Sequence, residues 1–294
     1  MMALLKIQNL TKQFGGLTAV DQVNFDVHQG EILGLIGPNG AGKTTIFNMI
    51  TGIYPPTFGE VYFKDHRIAH SPLTWRQRLS TPVWWLSWLP ISAIRQQWND
   101  VRTLRPHEIT KRGIARTFQT IRLFNNLTAL ENVMAGPHHR TQAGLWGALF
   151  RPPTQQKEEA YIVAEAKRYL KFMGLADYRD ELAKNLPYGH QRRLEIARAL
   201  ATEPALIVLD EPGAGLNEQE SIELMALIHE IRNSGVTVLL IEHDMKVVMG
   251  ICERIVVLDY GKKIAEGNRD EVQHNPRVIE AYLGEAEEEE SEEV

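Results

Sequence analysis

The chain has 294 residues, of which 44% are hydrophobic, and its formal net charge is −5. Seven glutamates lie between Glu285 and Val294, so the rest of the chain carries a net charge of +2, which argues against a nucleic-acid partner held by basic charge. A single cysteine, Cys252, excludes an internal disulfide and a metal site built from several cysteines. We recognise neither a secretory leader nor a membrane-spanning run, and we therefore expect a cytoplasmic protein.

Two strands are predicted before the first glycine loop. Leu4 to Phe14 mixes alternation with turn residues, and Ala19 to Val27 alternates apolar with polar side chains, as a half-buried strand does. Phe14 is interpreted as an aromatic platform on which a nucleotide base stacks. An ordinary core-filling strand residue is the alternative.

The chain is organised around a glycine-rich stretch that runs from Gly37 to Thr45. It follows the apolar strand Ile32–Ile36 and precedes a short helical segment that closes at Gly52. Strand, glycine loop and helix form the context of a phosphate-binding P-loop, whose backbone N–H groups turn toward phosphate oxygens. Lys43 would reach the β- and γ-phosphates, and the Thr44 hydroxyl would ligate Mg²⁺. The predicted phosphate-binding residues are Gly37, Pro38, Asn39, Gly40, Ala41, Gly42, Lys43, Thr44 and Thr45.

Polar side chains follow two further buried strands. Asp210 and Glu211 end one apolar strand, and His243 follows another. In a P-loop enzyme the strand ends face the nucleotide. Asp210 is therefore predicted to hold Mg²⁺, Glu211 to act as general base, and His243 to sense the γ-phosphate, with Gln119 as a fourth member of the site. Taken alone, His243 and Gln119 are equally consistent with structural roles.

The middle of the chain is predicted to be largely helical. Ala160 to Met173 has the pattern of an amphipathic helix. Asn185 to Gln191 is predicted to be a loop that opens a helix from Arg192 to Ala201. Arg254 to Ile264 is predicted to be a hairpin that turns at Tyr260 and Gly261.

In their order, these motifs resemble the nucleotide-binding subunits of ABC transporters over residues 4–284. The resemblance implies an α/β P-loop NTPase (RecA-like) core, an antiparallel β-subdomain and a helical ABC subdomain. It implies that Phe14 stacks on adenine, that Glu211 is the catalytic glutamate and that His243 is the switch histidine. The implied cofactors are ATP and Mg²⁺, and the implied Mg²⁺ ligands are Thr44, the Q-loop residue Gln119 and the Walker B residue Asp210.

The family signature Leu-Ser-Gly-Gly-Gln is divergent here. It corresponds to Leu186, Pro187, Tyr188, Gly189 and His190, of which Leu186 and Gly189 match. Pro187 supplies no hydroxyl for the γ-phosphate, whereas the Gly189 N–H and the following helix could still face one. Since one chain carries one P-loop and one signature loop, the resemblance implies that two chains complete the sites in trans.

A narrower resemblance is to the ATPase subunits of branched-chain amino-acid importers. It rests on Arg116 to Gln119, Leu186 to Arg198, Ala214 to Asn217, Ile241 to Met245 and Ala281 to Glu285. It implies a second ATPase subunit, two membrane permeases, a periplasmic solute-binding protein and a peripheral position on the cytoplasmic face of the inner membrane. The alternatives are the ATPase of a lipid or lipopolysaccharide exporter, a soluble non-transport ABC ATPase and, more remotely, a small-molecule kinase.

One ABC ATPase domain is expected over residues 1–284, with a helical subdomain at about 118–184 and a disordered acidic tail at 285–294. Residues 71–104 hold five of the six tryptophans and carry no catalytic pattern. In the transporter ATPases that this chain resembles, the corresponding connection is shorter, and the resemblance therefore implies that residues 71–104 are an insertion. The insertion either touches lipid or a permease, or it is a loop that packs on the ATPase surface or stays mobile.

Overall fold

The computed structural model describes residues 2–71, 103–137, 153–243 and 245–282. The predicted acidic tail and all but the ends of the predicted insertion lie outside these residues, so both interpretations stay predictions. The chain divides into two compact units. Unit one contains residues 1–109 and 252–294, and unit two contains residues 110–251.

Unit one begins with a four-stranded antiparallel sheet whose strand order is β2-β1-β4-β5. Its first two strands pair from Ala3 opposite His28 to Phe14 opposite Leu17. Burial alternates along β2 from Val23 to Val27, as the sequence predicted, whereas β1 also has adjacent buried residues. The strands are β1 (Ala3–Phe14), β2 (Leu17–His28), β4 (Phe58–Phe63) and β5 (His66–His70).

Unit one also contains the strand that leads into the glycine loop. Strand β3 (Ile32–Ile36) is buried at every residue, and helix α1 (Lys43–Ile50) follows the loop. Strand β9 (Arg254–Asp259) pairs with β3 in parallel, and β10 (Lys262–Gly267) returns antiparallel to it. The predicted hairpin at Tyr260 and Gly261 is therefore confirmed. Helix α8 (Arg269–Gln273) and a helical stretch at 276–282 end the described chain, separated near Pro276 as predicted.

Unit two is built on three parallel strands. Strand β7 (Leu206–Asp210) pairs on one side with β6 (Ile114–Arg116) and on the other with β8 (Thr237–Ile241). β7 and β8 are buried throughout, which explains their continuous apolar sequences. Helix α2 (Pro106–Arg112) precedes β6. Unit two also contains the helices α3 (Ala129–Met134), α4 (Pro153–Phe172), α5 (Tyr188–Leu200), α6 (Glu218–Asn233) and α7 (Met245–Ile251).

The predicted starts of two helices were wrong: the helix predicted from Ala160 begins at Pro153, and the helix predicted from Arg192 begins at Tyr188. The segment from Asn185 to Gln191 was predicted to be a loop, but α5 begins at Tyr188, so Gly189 to Gln191 lie in its first turn. Pro187 is the N-cap residue, with φ −54° and ψ 152°, and its carbonyl accepts from the Gln191 N–H at 2.9 Å. Gly189 lies in a crowded helical turn, where a Cβ would be 2.8 Å from Glu220 Oε1. Within the described ranges, we find no helix whose length and apolar character would let it span a bilayer.

Candidate functional site

The phosphate loop in unit one depends on glycines at two crowded positions. Gly37 has φ +150°, and a Cβ there would lie 2.1 Å from the Leu258 carbonyl oxygen. Gly42 has φ +98°, and a Cβ there would lie 2.5 Å from the Ala19 carbonyl oxygen. Since neither position tolerates a side chain, the loop is held against β9 and β2 by backbone-to-backbone approach.

Lys43 lies across the loop that precedes it. It is the first residue of α1, is only 7% exposed, and donates through Nζ to the carbonyl oxygens of Gly37 and Pro38, the latter at 2.8 Å. The ammonium is therefore placed over the loop, beside the N-terminus of α1, where the helix dipole also favours an anion.

Phe14 lies in an aromatic cluster of unit one. Its ring is 45% exposed and stands edge-on to Tyr54 at a centroid distance of 5.5 Å. The Lys12 ammonium lies 5.1 Å from the Phe14 centroid and 5.2 Å from that of Tyr54. Asn48, in the helix that follows the phosphate loop, donates to the Tyr54 hydroxyl at 2.7 Å. Sequence reasoning singled out Phe14 but missed Tyr54, which links Phe14 to α1.

In unit two, the predicted polar residues follow the carboxyl ends of three adjacent parallel strands. Gln119 follows β6, and His243 follows β8. Asp210 is the last residue of β7, and Glu211 comes directly after it. Gln119 donates through Nε2 to Glu211 Oε2 at 2.8 Å, and His243 Nδ1 lies 3.8 Å from the same oxygen. The structure therefore brings three of the four together around one carboxylate.

Asp210 is held separately, by a buried arginine. Its carboxylate accepts from Arg116 Nη2 at 2.8 Å, and both side chains are buried. Burial raises the pKa of Asp210, and the ion pair with Arg116 opposes that shift. Sequence reasoning used Arg116 only as a family marker and missed its role as the partner of Asp210.

Glu211 has a backbone conformation that is uncommon for a residue with a side chain. Its φ is +45°, and its N–H donates to the Ile241 carbonyl oxygen at 2.9 Å. The turn aims the carboxylate at Gln119 and His243 while the backbone continues into Gly213. The backbone N–H of Gly213 donates to the buried carboxylate of Glu242 at 2.8 Å, and this hydrogen bond stabilises the turn.

The signature residues begin α5. Gly189 packs against Glu220, Tyr188 packs against Gly215, and the His190 ring lies 4.6 Å from the Tyr178 ring. Burial, followed by the nearby charge of Arg193, lowers the pKa of His190. Leu186 is buried beside the N-cap residue Pro187.

A buried arginine of α5, which sequence reasoning missed, reaches the segment that carries Gln119. Arg192 is 0% exposed and donates to the carbonyl oxygens of Phe118 at 2.7 Å and Gln119 at 2.8 Å. The sequence does not indicate that Arg192 is buried, because Arg193 is adjacent and of the same type. Only the tertiary fold distinguishes the two.

The predicted site residues are thus found in both units. The P-loop and Phe14 lie in unit one, and Gln119, Asp210, Glu211, His243 and the signature residues lie in unit two. Each group is locally organised as described. A glycine loop that leads into a helix N-terminus, as in unit one, and charged side chains at the ends of buried parallel strands, as in unit two, are both features of nucleotide phosphate sites.

Two family models match parts of this chain. The family model described as ABC transporter matches residues 20–214, and the model described as branched-chain amino acid ATP-binding cassette transporter matches residues 262–288.

Curated relatives are similar over almost their full length. The high-affinity branched-chain amino acid transport ATP-binding protein LivG of Escherichia coli is 40% identical over 284 residues, which cover 96% of this chain and 98% of that protein. The protein BraF of Pseudomonas aeruginosa, described in the same words, has the same identity and coverage.

Solved structures agree with the sequence relatives. An ATP-binding cassette of an ABC transporter in its ADP conformation has a TM-score of 0.75 and 31% identity, with 97% of this chain and 100% of that chain covered. A nucleotide-free ATP-binding cassette has a TM-score of 0.74 and 31% identity, with 96% and 99% covered. The chain therefore belongs to the ABC transporter family, with its P-loop NTPase fold, and is a subunit that binds and hydrolyses ATP for transport.

Proposed function

We propose that the loop from Gly37 to Thr45 binds the phosphates of ATP and that Lys43 is its phosphate clamp. The observation that carries this is the buried Lys43 ammonium, held over a loop whose Gly37 and Gly42 have no space for a side chain. The exposed ring of Phe14, braced by Tyr54, supplies the stacking face for the adenine base.

Glu211 is the general base for hydrolysis. Its carboxylate oxygen is shared by the Gln119 amide at 2.8 Å and the His243 ring at 3.8 Å, so both partners orient it. Orientation of the base by two groups is what abstraction of a proton from a positioned water needs. His243 is 58% exposed on its side chain and is free to meet the γ-phosphate as well.

We propose that Thr44, Gln119 and Asp210 would hold Mg²⁺. Thr44 offers a hydroxyl, Gln119 offers the amide oxygen opposite the nitrogen that donates to Glu211, and Asp210 offers a carboxylate, and all three are the hard oxygen ligands that Mg²⁺ prefers. When bound, Mg²⁺ would neutralise charge on the phosphates. Arg116 keeps the Asp210 carboxylate fixed in its buried position.

The transported solute is a branched-chain amino acid. This rests on 40% identity with LivG and BraF across nearly the full chain and on the C-terminal model at residues 262–288. Both comparisons favour this assignment over the lipid-exporter and non-transport alternatives. The partners are a second ATPase subunit, two membrane permeases and, indirectly, a periplasmic solute-binding protein, and the chain lies on the cytoplasmic face of the inner membrane.

The chemistry is tested with two variants of the purified chain. Lys43→Ala should weaken ATP binding, measured with a fluorescent ATP analogue. Glu211→Gln should keep binding but lower the turnover number about 10²–10⁴-fold, the usual span for loss of a general base. Glu230→Gln, an exposed glutamate on α6, is the matched control and should leave turnover unchanged. Near-normal turnover in Glu211→Gln contradicts the assignment of the base.

Assembly is tested with the same slow variant. We propose that the signature residues, from Leu186 to His190, complete the nucleotide site of a second subunit. ATP with Mg²⁺ should therefore dimerise Glu211→Gln, as followed by light scattering, whereas Lys43→Ala should stay monomeric. A Glu211→Gln chain that remains monomeric with ATP, even when its permeases are present, contradicts the model.

The solute is tested by transport. Permeases that co-purify with the chain, reconstituted in vesicles together with the solute-binding protein, should take up radiolabelled leucine, isoleucine or valine in an ATP-dependent manner. Export of lipid, or no uptake of these three amino acids by a complex that hydrolyses ATP, would reject the substrate.

A further inference from the structure

Arg192 is a fully buried cation with an unusual set of partners. Its guanidinium donates to the Phe118 carbonyl oxygen at 2.7 Å, to the Gln119 carbonyl oxygen at 2.8 Å and to Glu195 Oε2 at 3.1 Å. Its side chain is 0% exposed and that of Glu195 is 1% exposed, so water does not replace these bonds. Charged hydrogen bonds of this kind to buried acceptors are among the stronger interactions in a protein.

The segment that Arg192 holds is otherwise exposed and irregular. Gln119 lies after β6, and its side chain donates to the proposed base Glu211 at 2.8 Å. Glu195 reaches the same segment from one turn further along α5, where its Oε1 accepts from the Arg122 backbone N–H at 3.2 Å. The path of the backbone through Gln119 is therefore fixed from one helix, by an ion pair.

The same guanidinium also contacts the signature loop. Arg192 Nη2 lies 3.4 Å from the Tyr188 hydroxyl, and the Tyr188 ring covers Gly215, where a Cβ would lie 3.1 Å from it. Tyr188 stands where the family signature has a glycine. Its side chain therefore joins Gly215, in the turn after Glu211, to the arginine that holds Gln119.

We propose that Arg192 is the positioning residue for Gln119, and that Tyr188 connects it to the signature loop, so that α5 sets the geometry of the catalytic cluster in its own subunit. The inference rests on the proposed role of Gln119 in hydrolysis. In this arrangement, when Tyr188 moves on meeting the nucleotide of a partner subunit, the Arg192 side chain transmits the movement to Gln119 and, through it, to Glu211.

Arg192→Lys is the principal test, with Arg193→Lys as the matched control. A lysine keeps the charge but cannot span two carbonyl oxygens and a carboxylate with one ammonium. Arg193 is adjacent in the same helix and pairs with Glu223 rather than with the Gln119 segment. The two variants therefore make the same substitution with and without loss of the proposed bonds.

The first measurement is amide hydrogen exchange in the full-length chain without nucleotide. Exchange at residues 119–123 should rise about tenfold or more in Arg192→Lys and stay at the wild-type rate in Arg193→Lys. Tyr188→Phe, which removes only a hydroxyl, should fold normally and raise exchange in the same segment to a smaller extent. An unchanged rate at residues 119–123 in Arg192→Lys overturns the proposal.

The second measurement is a kinetic double-mutant cycle with Gln119→Ala. If Arg192 acts through Gln119, Arg192→Lys should lower kcat with little change in KM for ATP, and it should add less than about twofold once Gln119 is already alanine. If Arg192→Lys lowers kcat by the same factor in the Gln119→Ala background as in the wild type, the two residues act independently and the proposal is overturned. If Gln119→Ala alone leaves kcat unchanged, the proposed function of Gln119 fails, and the hydrogen-exchange result then shows separately whether Arg192 holds the segment.

Discussion

At the scale of single residues, a glycine of the signature loop is required by its neighbour in the same chain. A Cβ on Gly189 would lie 2.8 Å from Glu220 Oε1. Glu220 cannot move aside without cost, because it forms a capping box with Asn217 at the start of α6. The glycine that the family resemblance assigns to a phosphate contact is thus also needed for helix packing within one subunit.

Gly189→Ala should therefore lower the free energy of unfolding by about 1 kcal/mol, the usual cost of a lost N-terminal cap. The measurement is urea unfolding followed by circular dichroism. The double variant Gly189→Ala with Glu220→Ala should be no less stable than Glu220→Ala alone, since the clash partner is gone. Gly16→Ala, where a Cβ meets nothing within 4 Å, is the control. Additive losses in the double variant would show that Glu220 is not the residue that Gly189 accommodates.

Glu242 illustrates how a buried acid can be retained without a salt bridge of ideal geometry. Its side chain is 1% exposed, and it accepts from the Gly213 N–H at 2.8 Å. Burial raises its pKa above the usual carboxyl value, while the Gly213 bond and the nearby His243 oppose the shift. The charged form is therefore less favourable in the folded chain than in the unfolded chain.

The pH dependence of stability follows from this sign. A carboxyl whose pKa is raised by folding contributes stability below the unfolded pKa, and that contribution is lost as pH rises through the folded pKa. Glu242→Gln keeps an oxygen for Gly213 and cannot ionise. Its stability relative to the wild type should rise from about pH 4.5 upward and then level off, measured by urea unfolding across that range. A stability difference between Glu242→Gln and the wild type that does not change with pH would contradict the raised pKa.

At the scale of elements, strands were predicted better than helix starts. Strands β3, β7 and β8 are continuous apolar runs because parallel strands are buried on both faces. Such runs can be recognised in the sequence. Helix α5 starts without a side-chain cap, at Pro187, and its first turn contains a glycine. The sequence around Pro187 and Gly189 resembles a loop, whereas in the fold Gly189 lets the first turn of α5 pack against Glu220 of α6.

The candidate site likewise contains residues that could be predicted from the sequence and residues that could not. The P-loop, Asp210, Glu211 and His243 could be placed from sequence because each follows a buried strand, and the strand ends carry them. Arg192, Arg116 and Glu242 could not, because their importance depends on buried partners far away in the sequence, such as Phe118 for Arg192. A charged residue in a helix usually indicates a solvated face, and burial can be recognised only from the fold.

The loop before α3 depends on one buried asparagine. Asn132 is 0% exposed, and its amide donates to the carbonyl oxygens of Phe124 at 3.1 Å and Thr128 at 3.0 Å, while its Oδ1 accepts from the Phe124 N–H at 2.9 Å. A second tie is the capping box of α3, in which Thr128 and Glu131 bond reciprocally. The loop is therefore shaped by side chains of the helix that follows it.

Asn132→Ala should destabilise the chain by about 1–3 kcal/mol, because the buried backbone groups of the loop lose their partners. Hydrogen exchange at residues 124–128 should increase with it. Asn126→Ala is the matched control, since Asn126 is exposed and its side chain accepts from Lys184 at 3.2 Å. Equal stability of the two variants would show that the loop is held by its cap alone.

At the scale of the whole molecule, unit one is assembled from distant parts of the chain. Strand β9 pairs in parallel with β3 although more than 200 residues separate Leu33 from its partner Arg254. The backbone of Gly37 packs directly against the Leu258 carbonyl group, at a distance that leaves no room for a Cβ. Folding of the phosphate loop thus needs the C-terminal segment that contains Leu258. Loop closure over so many residues is slow, and we infer that unit one is completed late.

Arg254 joins these distant parts by charge. Its guanidinium donates to Glu31 Oε1 at 2.7 Å, to Glu266 and to the Asp26 carbonyl oxygen, so one side chain contacts β2, the turn before β3 and β10. The Glu31 side chain is buried and also accepts from the His28 N–H at 2.6 Å. Removal of the cation would leave the buried Glu31 carboxylate without the arginine that balances its charge, although the His28 N–H would still donate to it.

Arg254→Ala should lower the free energy of unfolding by about 3 kcal/mol, since breaking a buried pair costs more than the pair itself contributes. Arg254→Lys should lie between, because one ammonium cannot serve all three acceptors. The exposed pair of Lys262 with Asp21, at 3.6 Å, gives the control, and Lys262→Ala should change stability by less than about 1 kcal/mol. Glu31→Gln made in the Arg254→Ala background removes the stranded charge while keeping an acceptor for His28, so it should restore part of the loss. If the double variant is less stable than Arg254→Ala, the cost comes from lost packing of the arginine rather than from the buried carboxylate.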